Sequence, residues 1–460
     1  MEGQASRTLD LVVRGGTVVT AGSSGVADVG VLDGRVVQLG GPMSGRREID
    51  ASGKLVLPGG VDVHVHLSAP GPAGPDDELW VDDFYSGSLA AIAGGITTVG
   101  NMTFQWPGES LGDALGRDRA SAERDAAVDV LLHPVLTDPS PASLAELPGL
   151  AEQGCASLKV FMVTPEFDAN VEAYIEAIRT AGSLGMMTMI HCEDGAIIRC
   201  ICRELAALGR TAVQHWAESR PVYTESAATE RAIAICRATG APIYVVHLSS
   251  RAALEACRRA RADGVPVSVE TRPLYLHLTK ELLEGEQGGM YVGAPPLREQ
   301  ADLEAIWNGL GDGTIQTVCT DHAPWSMRQK LDPQLDVTTA RQGVADLDTS
   351  LPMLYSAGVR TGRISIERFV EVVATNPARL FGLYPRKGTI AVGSDADLAV
   401  WDPEVVRTVA ASEQHSRSDY SVYEGREVQG WPVVTVSRGE IVLEGGQVSA
   451  ARGRGRLLAK

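Results

Sequence analysis

The chain has 460 residues, 44% hydrophobic and 22% charged, a composition that can bury a large core and excludes disorder along the whole length. Its 41 Lys and Arg stand against 58 Asp and Glu, a net charge of −17 that repels a phosphate backbone, so nucleic acid is not expected as a partner. No apolar run reaches the roughly 20 residues that span a bilayer, the start at Met1 is polar, and the seven cysteines form no C-x-x-C pair; a soluble cytoplasmic protein with reduced thiols and no membrane partner is expected.

In chain order, the first sixty residues read as short strands between glycine turns: Leu11 to Thr20, Ala27 to Gly40 folded at Asp33-Gly34, and Leu55 to Leu57. The same texture returns at Leu398 to Trp401 and at Val433 to Val448, turned at Arg438-Gly439. Between these ends, eight apolar β-rich runs alternate with helical stretches. They are Val61 to Leu67, Thr97 to Met102, Val128 to Pro134, Ser157 to Met162, Met186 to His191, Ile243 to His247, Val265 to Glu270 and Ile315 to Asp321. Helices are expected over Asn170 to Gly182, Ser226 to Gly240 and Arg251 to Gly264, the last two closing on C-capping glycines. Length alone, at roughly 150 residues per domain, suggests about three domains. The pattern points instead to two: an α/β (β/α)8 TIM-like barrel over 59–384, and a small β-sandwich built from 1–58 and 385–460.

Barrel active sites gather at the C-terminal ends of the strands, and ionisable residues interrupt these runs there. His64 and His66 are two apart, so strand alternation sends both imidazoles into the barrel. Lys159 lies in Ala-Ser-Leu-Lys-Val-Phe-Met, where an ammonium is costly to desolvate unless paired or chemically changed. His191, His247 and Asp321 each end an apolar run. Singly, each has a bland reading: a core histidine, a snorkelling lysine, a helix-capping aspartate. Together, five strand ends supply four histidines, a lysine and an aspartate, a set suited to Zn²⁺ or Mn²⁺ with enough ligands for two ions.

With these residues in place the chain resembles the amidohydrolase superfamily, and within it the hydantoinase, dihydropyrimidinase and allantoinase group of cyclic amidases. The resemblance runs from Leu55-Val-Leu-Pro-Gly-Gly-Val-Asp-Val-His-Val-His through Gly94-Gly-Ile-Thr-Thr-Val, Val269-Glu-Thr-Arg-Pro-Leu-Tyr-Leu, Ala294-Pro-Pro-Leu-Arg and Thr320-Asp-His-Ala-Pro to Lys387-Gly-Thr-Ile-Ala-Val-Gly-Ser-Asp-Ala-Asp-Leu. It implies that His64, His66 and Asp321 hold one zinc ion, that His191 and His247 hold the other, and that Lys159, carboxylated by CO₂, bridges them. It further implies ring opening of a small cyclic amide by a hydroxide between the ions, with Asp321 as general acid and base, and a homotetramer. The family also contains non-catalytic scaffolds, but all six ligand positions are present here, which favours an enzyme.

Some positions depart from relatives. Dihydroorotases carry an arginine two residues after the second histidine; Ser68 stands here, which disfavours dihydroorotate. A tyrosine that donates to the substrate oxyanion in dihydropyrimidinases and many D-selective hydantoinases is replaced by Thr164, so another donor or the metal must serve. Ala294 and Gln342 occupy positions that meet the substrate ring through the main chain. The stretches from Asp348 and Ser365 look closest to hydantoinases lacking that tyrosine, L-selective ones included, so 5-substituted hydantoins rank first as substrates, ahead of dihydropyrimidines and allantoin. Loops over 68–80, 103–109 and 164–170, with Trp80, Phe104, Trp106 and Phe167, are expected to form an apolar pocket for the exocyclic group.

Overall fold

The computed structural model describes residues 8–68 and 80–460, so most of the loop expected over 68–80 lies outside the described residues. All eight expected barrel strands are present and parallel, each paired with its neighbour in chain order. They are Gly60–Val65, Ile96–Phe104, Asp129–Val135, Ser157–Phe161, Met187–His191, Ile243–Val245, Val267–Thr271 and Thr317–Val318. The circle closes where the His66 N–H donates to the His322 carbonyl at 2.7 Å. Beneath that seam the buried Asp62 carboxylate accepts from the backbone N–H groups of His64 and Thr320, at 3.1 and 3.0 Å. The first and last strands therefore share one acceptor just below the histidines.

The sixth and eighth strands are shorter than expected, for a visible reason. His247 and Asp321 have φ of 38° and 49°, left-handed conformations that end an extended ladder and that non-glycine residues rarely adopt. Both are candidate site residues, and backbone strain of this kind collects at functional sites. The expected helices appear as Val171–Ser183, Val222–Thr239 and Arg251–Ala262, with Gly240 in the left-handed cap conformation. Inside the barrel, Val61, Val63, Met102, Leu131, Met189 and Tyr244 pack together with Phe381 below the strand ends, leaving the polar chemistry to the upper mouth.

The two ends of the chain supply the remaining sheets. One holds Leu9–Arg14, Val29–Leu32, Arg35–Leu39 and Gly45–Asp50; the other joins Thr17–Val19, Ser24–Val26 and Leu55–Pro58 to Leu398–Thr408, Glu427–Ser437, Glu440–Glu444 and Gln447–Val448. Val13, Val31, Val36, Val56, Leu398 and Val436 form the core between them. The stretch expected as one strand from Leu11 to Thr20 is broken at Gly15, where φ of 67° sends its halves into different sheets. Both expected hairpins turn where the sequence indicates, with positive φ at Asp33-Gly34 and Arg438-Gly439, the signature of type I′ turns that match strand twist.

A buried charge cluster ties these sheets to the barrel. The Lys387 ammonium lies 2.6 Å from Asp129, at the start of the third barrel strand, 2.5 Å from Asp397 and 3.1 Å from Asp395, and Arg438 pairs with Asp129 from the C-terminal hairpin. Burial opposes the charge on Lys387, but the three carboxylates push its pKa up to about 12. Among the described residues no helix is long and apolar enough to cross a membrane. We expect Lys387→Met to remove the one ammonium shared by Asp129, Asp395 and Asp397 and to cost about 3–5 kcal/mol, read as a lowered midpoint in urea unfolding, whereas surface Lys460→Met should leave that midpoint within error.

Candidate metal centre

The six residues expected at the centre come from the ends of five strands and gather at the C-terminal mouth. His64 and His66 project from the first strand onto the Asp321 carboxylate, with Nε2 atoms 3.3 and 2.9 Å from Oδ1. His247 faces His64 and His191 at ring-centroid distances of 5.5 and 4.6 Å. Lys159, on the fourth strand, is fully buried, and its Nζ finds no hydrogen-bond partner among the described residues. Burial lowers its pKa to about 8 while Asp321 and Glu270 pull the other way. Burial likewise lowers His66 to about 4 and drives His191 and His247 down, so these imidazoles are neutral near pH 7, the form in which histidine ligates a metal.

Behind these groups stands a second set that sequence reasoning missed. Glu270, near the end of the seventh strand, accepts from His64 Nδ1 at 2.8 Å, from the His247 backbone N–H at 2.9 Å and from the Tyr244 hydroxyl at 2.8 Å. Glu193 lies 2.9 Å from His191 Nε2 and accepts from Arg220 at 3.0 Å; burial would raise its pKa, but Arg220 and His191 hold it at about 2. Carboxylates on the far nitrogens of His64 and His191 fix ring orientation and tautomer, leaving His64 Nε2 and His191 Nδ1 for the site. Glu270 ends an apolar run as His191 and His247 do, and the same strand-end criterion would have found it. The next residue in the chain after Asp321 has a different job: His322 accepts from the Asp346 N–H and faces Asp82 at 3.0 Å, so both its nitrogens are used.

Above the cluster lies a cavity of about 250 Å³, lined by His64, His66, His191, His247 and Asp321 below and by Trp80, Phe104, Phe161, Thr164, Ala294 and Gln342 around it. Trp80, Phe104 and Phe161 form one aromatic wall, with successive ring centroids 5.8 and 5.7 Å apart. Two aromatics expected here serve elsewhere: Phe167 is buried against Tyr174, and Trp106 stacks on Arg117. Phe167 turns inward because Thr164 and Pro165 open a short helix, Pro165–Ala169, whose first turn it completes.

The expected substrate contacts all border the cavity, with particular commitments. The Thr164 hydroxyl caps that helix by accepting from the Phe167 N–H and donates to the Phe161 carbonyl, both at 3.3 Å. The Gln342 carbonyl accepts from the Trp325 indole at 2.7 Å, and the buried Lys330 ammonium donates to the carbonyls of Val292, Arg341 and Gly343 at 2.7, 2.7 and 2.8 Å. One cation thus braces the two backbone segments that carry Ala294 and Gln342. Ser68 donates to the Trp80 carbonyl and accepts from its N–H, at 2.9 and 3.0 Å, so it pins the backbone of the aromatic wall.

The donor set fits divalent metal: His64, His66 and Asp321 bring one ligand atom each into a single cluster, while the ring nitrogens of neutral histidines and an unpartnered buried amine lie beside it. The other group of this kind among the described residues, Asp129 with Asp395 and Asp397, is already filled by Lys387.

Comparison with known proteins agrees with this geometry. The model of the Amidohydrolase family matches residues 55–442. A D-phenylhydantoinase of Escherichia coli is 38% identical over 456 residues, 98% of each chain. Among solved structures, a D-hydantoinase from Bacillus sp. AR9 superposes with a TM-score of 0.93 at 38% identity, covering 98% of both chains. An L-hydantoinase (dihydropyrimidinase) from Arthrobacter aurescens gives 0.91 at 32%, covering 98% of this chain and all of the other. The chain belongs to the amidohydrolase family, whose members of this type imply a binuclear metal site. We expect Glu270→Gln to weaken metal retention by about 10- to 100-fold, measured as metal left per chain after dialysis against graded chelator, with the far-ultraviolet circular dichroism unchanged.

Proposed function

We propose that this amidohydrolase hydrolyses the ring amide of 5-substituted hydantoins to N-carbamoyl amino acids, at a centre of two divalent ions, zinc first and manganese second, held by His64, His66, Lys159, His191, His247 and Asp321. The observation that carries it is the convergence of His64, His66, His191, His247 and Asp321 beneath an aromatic-walled cavity, with the buried Lys159 in the field of Asp321 and Glu270, in a chain alike from end to end to hydantoinases. In the same reading the barrel over 59–384 carries the chemistry and 1–58 with 385–460 forms a separate domain. When bound, the ions would supply a water of lowered pKa and a Lewis acid for the amide carbonyl.

The chain's own residues do the rest. Asp321 takes a proton from the attacking water and returns it to the departing ring nitrogen, as a positioned acid and base. Backbone at Ala294 and Gln342, braced by Lys330, orients the planar ring, and Trp80, Phe104 and Phe161 receive an apolar exocyclic group and exclude water. The Thr164 hydroxyl is spent on its helix, so it does not stabilise the oxyanion. Ser68, tied to Trp80, offers no cation for a substrate carboxylate, which supports a neutral ring over dihydroorotate. Lys159 is the site for CO₂: its pKa near 8 leaves some neutral amine, whose lone pair bonds to the CO₂ carbon as one N–H proton is released, turning a buried cation into an anionic ligand.

Three measurements test the reading. Purified protein should contain about two divalent ions per chain by elemental analysis, and Asp321→Asn should keep its fold while losing at least about 100-fold in turnover; turnover within a few-fold of wild type removes the proton role. In a panel of both enantiomers of 5-phenylhydantoin, dihydrouracil and allantoin, the hydantoins should give the highest kcat/KM. Dihydrouracil is the second reading, favoured by the paired name of the Arthrobacter neighbour, and preference for it or for allantoin overturns the first.

A further inference from the structure

Asp321 has a partner that neither the ligand set nor the mechanism uses. Arg272 follows the seventh strand and is fully buried. Its Nη1 donates to Asp321 Oδ2 at 2.8 Å and its Nη2 to the Asp321 carbonyl at 3.4 Å, while its guanidinium carbon lies 5.9 Å from the centre of the Tyr275 ring. The two carboxylate oxygens of Asp321 are therefore divided: Oδ2 belongs to Arg272, and Oδ1 faces the Nε2 atoms of His64 and His66. The same guanidinium grips side chain and main chain of a residue held at φ 49°, a conformation that needs outside support.

From this we infer that Arg272 is the positioning residue for Asp321, presenting Oδ1 alone to a metal at His64 and His66 and keeping that ligand in place before metal arrives. The inference rests on the metal reading above. Arginine suits the task because its planar fork carries parallel donors in fixed geometry and stays charged at any working pH, whereas a lysine offers a single point of charge. Preorganisation matters here because Asp321 lies on an irregular segment after a two-residue strand, where its neighbours Thr320 and His322 are tied to the first strand and its own carbonyl is held by Arg272. The arrangement parallels Arg220 on Glu193 across the site, but there the carboxylate touches a ligand, whereas Arg272 touches the ligand carboxylate itself.

The test reads coordination rather than turnover. Wild type, Arg272→Lys and Arg272→Met are stripped of metal and titrated with Co²⁺, whose visible absorption reports its ligands, with thermal unfolding of each apoprotein followed in parallel. We expect two Co²⁺ sites in the wild type. In Arg272→Met one of them should weaken by about 10- to 100-fold with an altered absorption band, while the other is retained. Arg272→Lys should recover part of the affinity but not the wild-type band, because charge returns without the fork; a merely space-filling role would not produce that split. Should the methionine variant fail to fold, the lysine variant decides alone. Wild-type isotherm and band in a folded variant overturn the inference. A wild type that takes up no Co²⁺ overturns the metal reading beneath it, and failure on the hydantoin panel alone leaves the Co²⁺ result standing.

Discussion

The barrel is organised around a single carboxylate. Asp321 sits at the seam where the eighth strand meets the first, its Oδ1 shared by His64 and His66 and its Oδ2 held by Arg272. An ionised carboxylate this deeply buried is costly without compensation, and Arg272 and the two imidazoles hold its pKa well below the ordinary aspartate value despite burial. Closure of the barrel and assembly of the candidate centre are thus one event. The strands must be in register for the imidazoles and the guanidinium to reach the same group.

What was legible in the sequence follows from how far a residue's role depends on its own strand. His64 and His66 are readable because period two and an apolar run already fix their direction. His191, His247 and Asp321 are readable because an ionisable residue ending an apolar run has few other places to go. Glu270 meets the same criterion. Arg272 and Arg220 are different: their partners lie 49 and 27 residues away, and no local pattern says which carboxylate a given arginine will meet. Lys330 is the extreme case: it ends the four-residue helix Met327–Lys330, yet its ammonium turns inward to three carbonyls.

Where the expectation and the fold differ, local backbone chemistry explains it. Thr164 followed by Pro165 and Glu166 is a helix start, and the structure uses the threonine that way, so its hydroxyl is lost to the cavity and Phe167 to the core. The aromatic wall is still built, from Phe161 two residues beyond the lysine rather than from the loop beyond it. Gly15 divides an apparently continuous strand because its backbone turns left-handed and the two halves then serve different sheets. In each case hydrophobic patterning foretold burial correctly but could not say which buried surface would receive the side chain.

Three buried lysines bear on the hardest question about the site. Lys387 is surrounded by three carboxylates, and Lys330 by three carbonyls. Both are solutions to the same problem, since an ammonium taken out of water must recover its hydrogen bonds or its charge balance inside the protein. Lys159 is as deeply buried as either and among the described residues has neither solution, with Nζ unpartnered there while His66 and His247 each keep an Nδ1 without a partner among them. A chain that satisfies its other buried lysines so fully does not tolerate an orphan through poor packing. On the reading proposed above, the side chain at this position is not an ammonium. A neutral amine that takes up CO₂ becomes a two-oxygen anion among neutral imidazoles, which removes the desolvated cation and supplies the negative charge that a pair of divalent ions needs. The orphaned nitrogen thus supports both halves of the proposal, the modification and the metals, because either one without the other would leave a buried charge uncompensated.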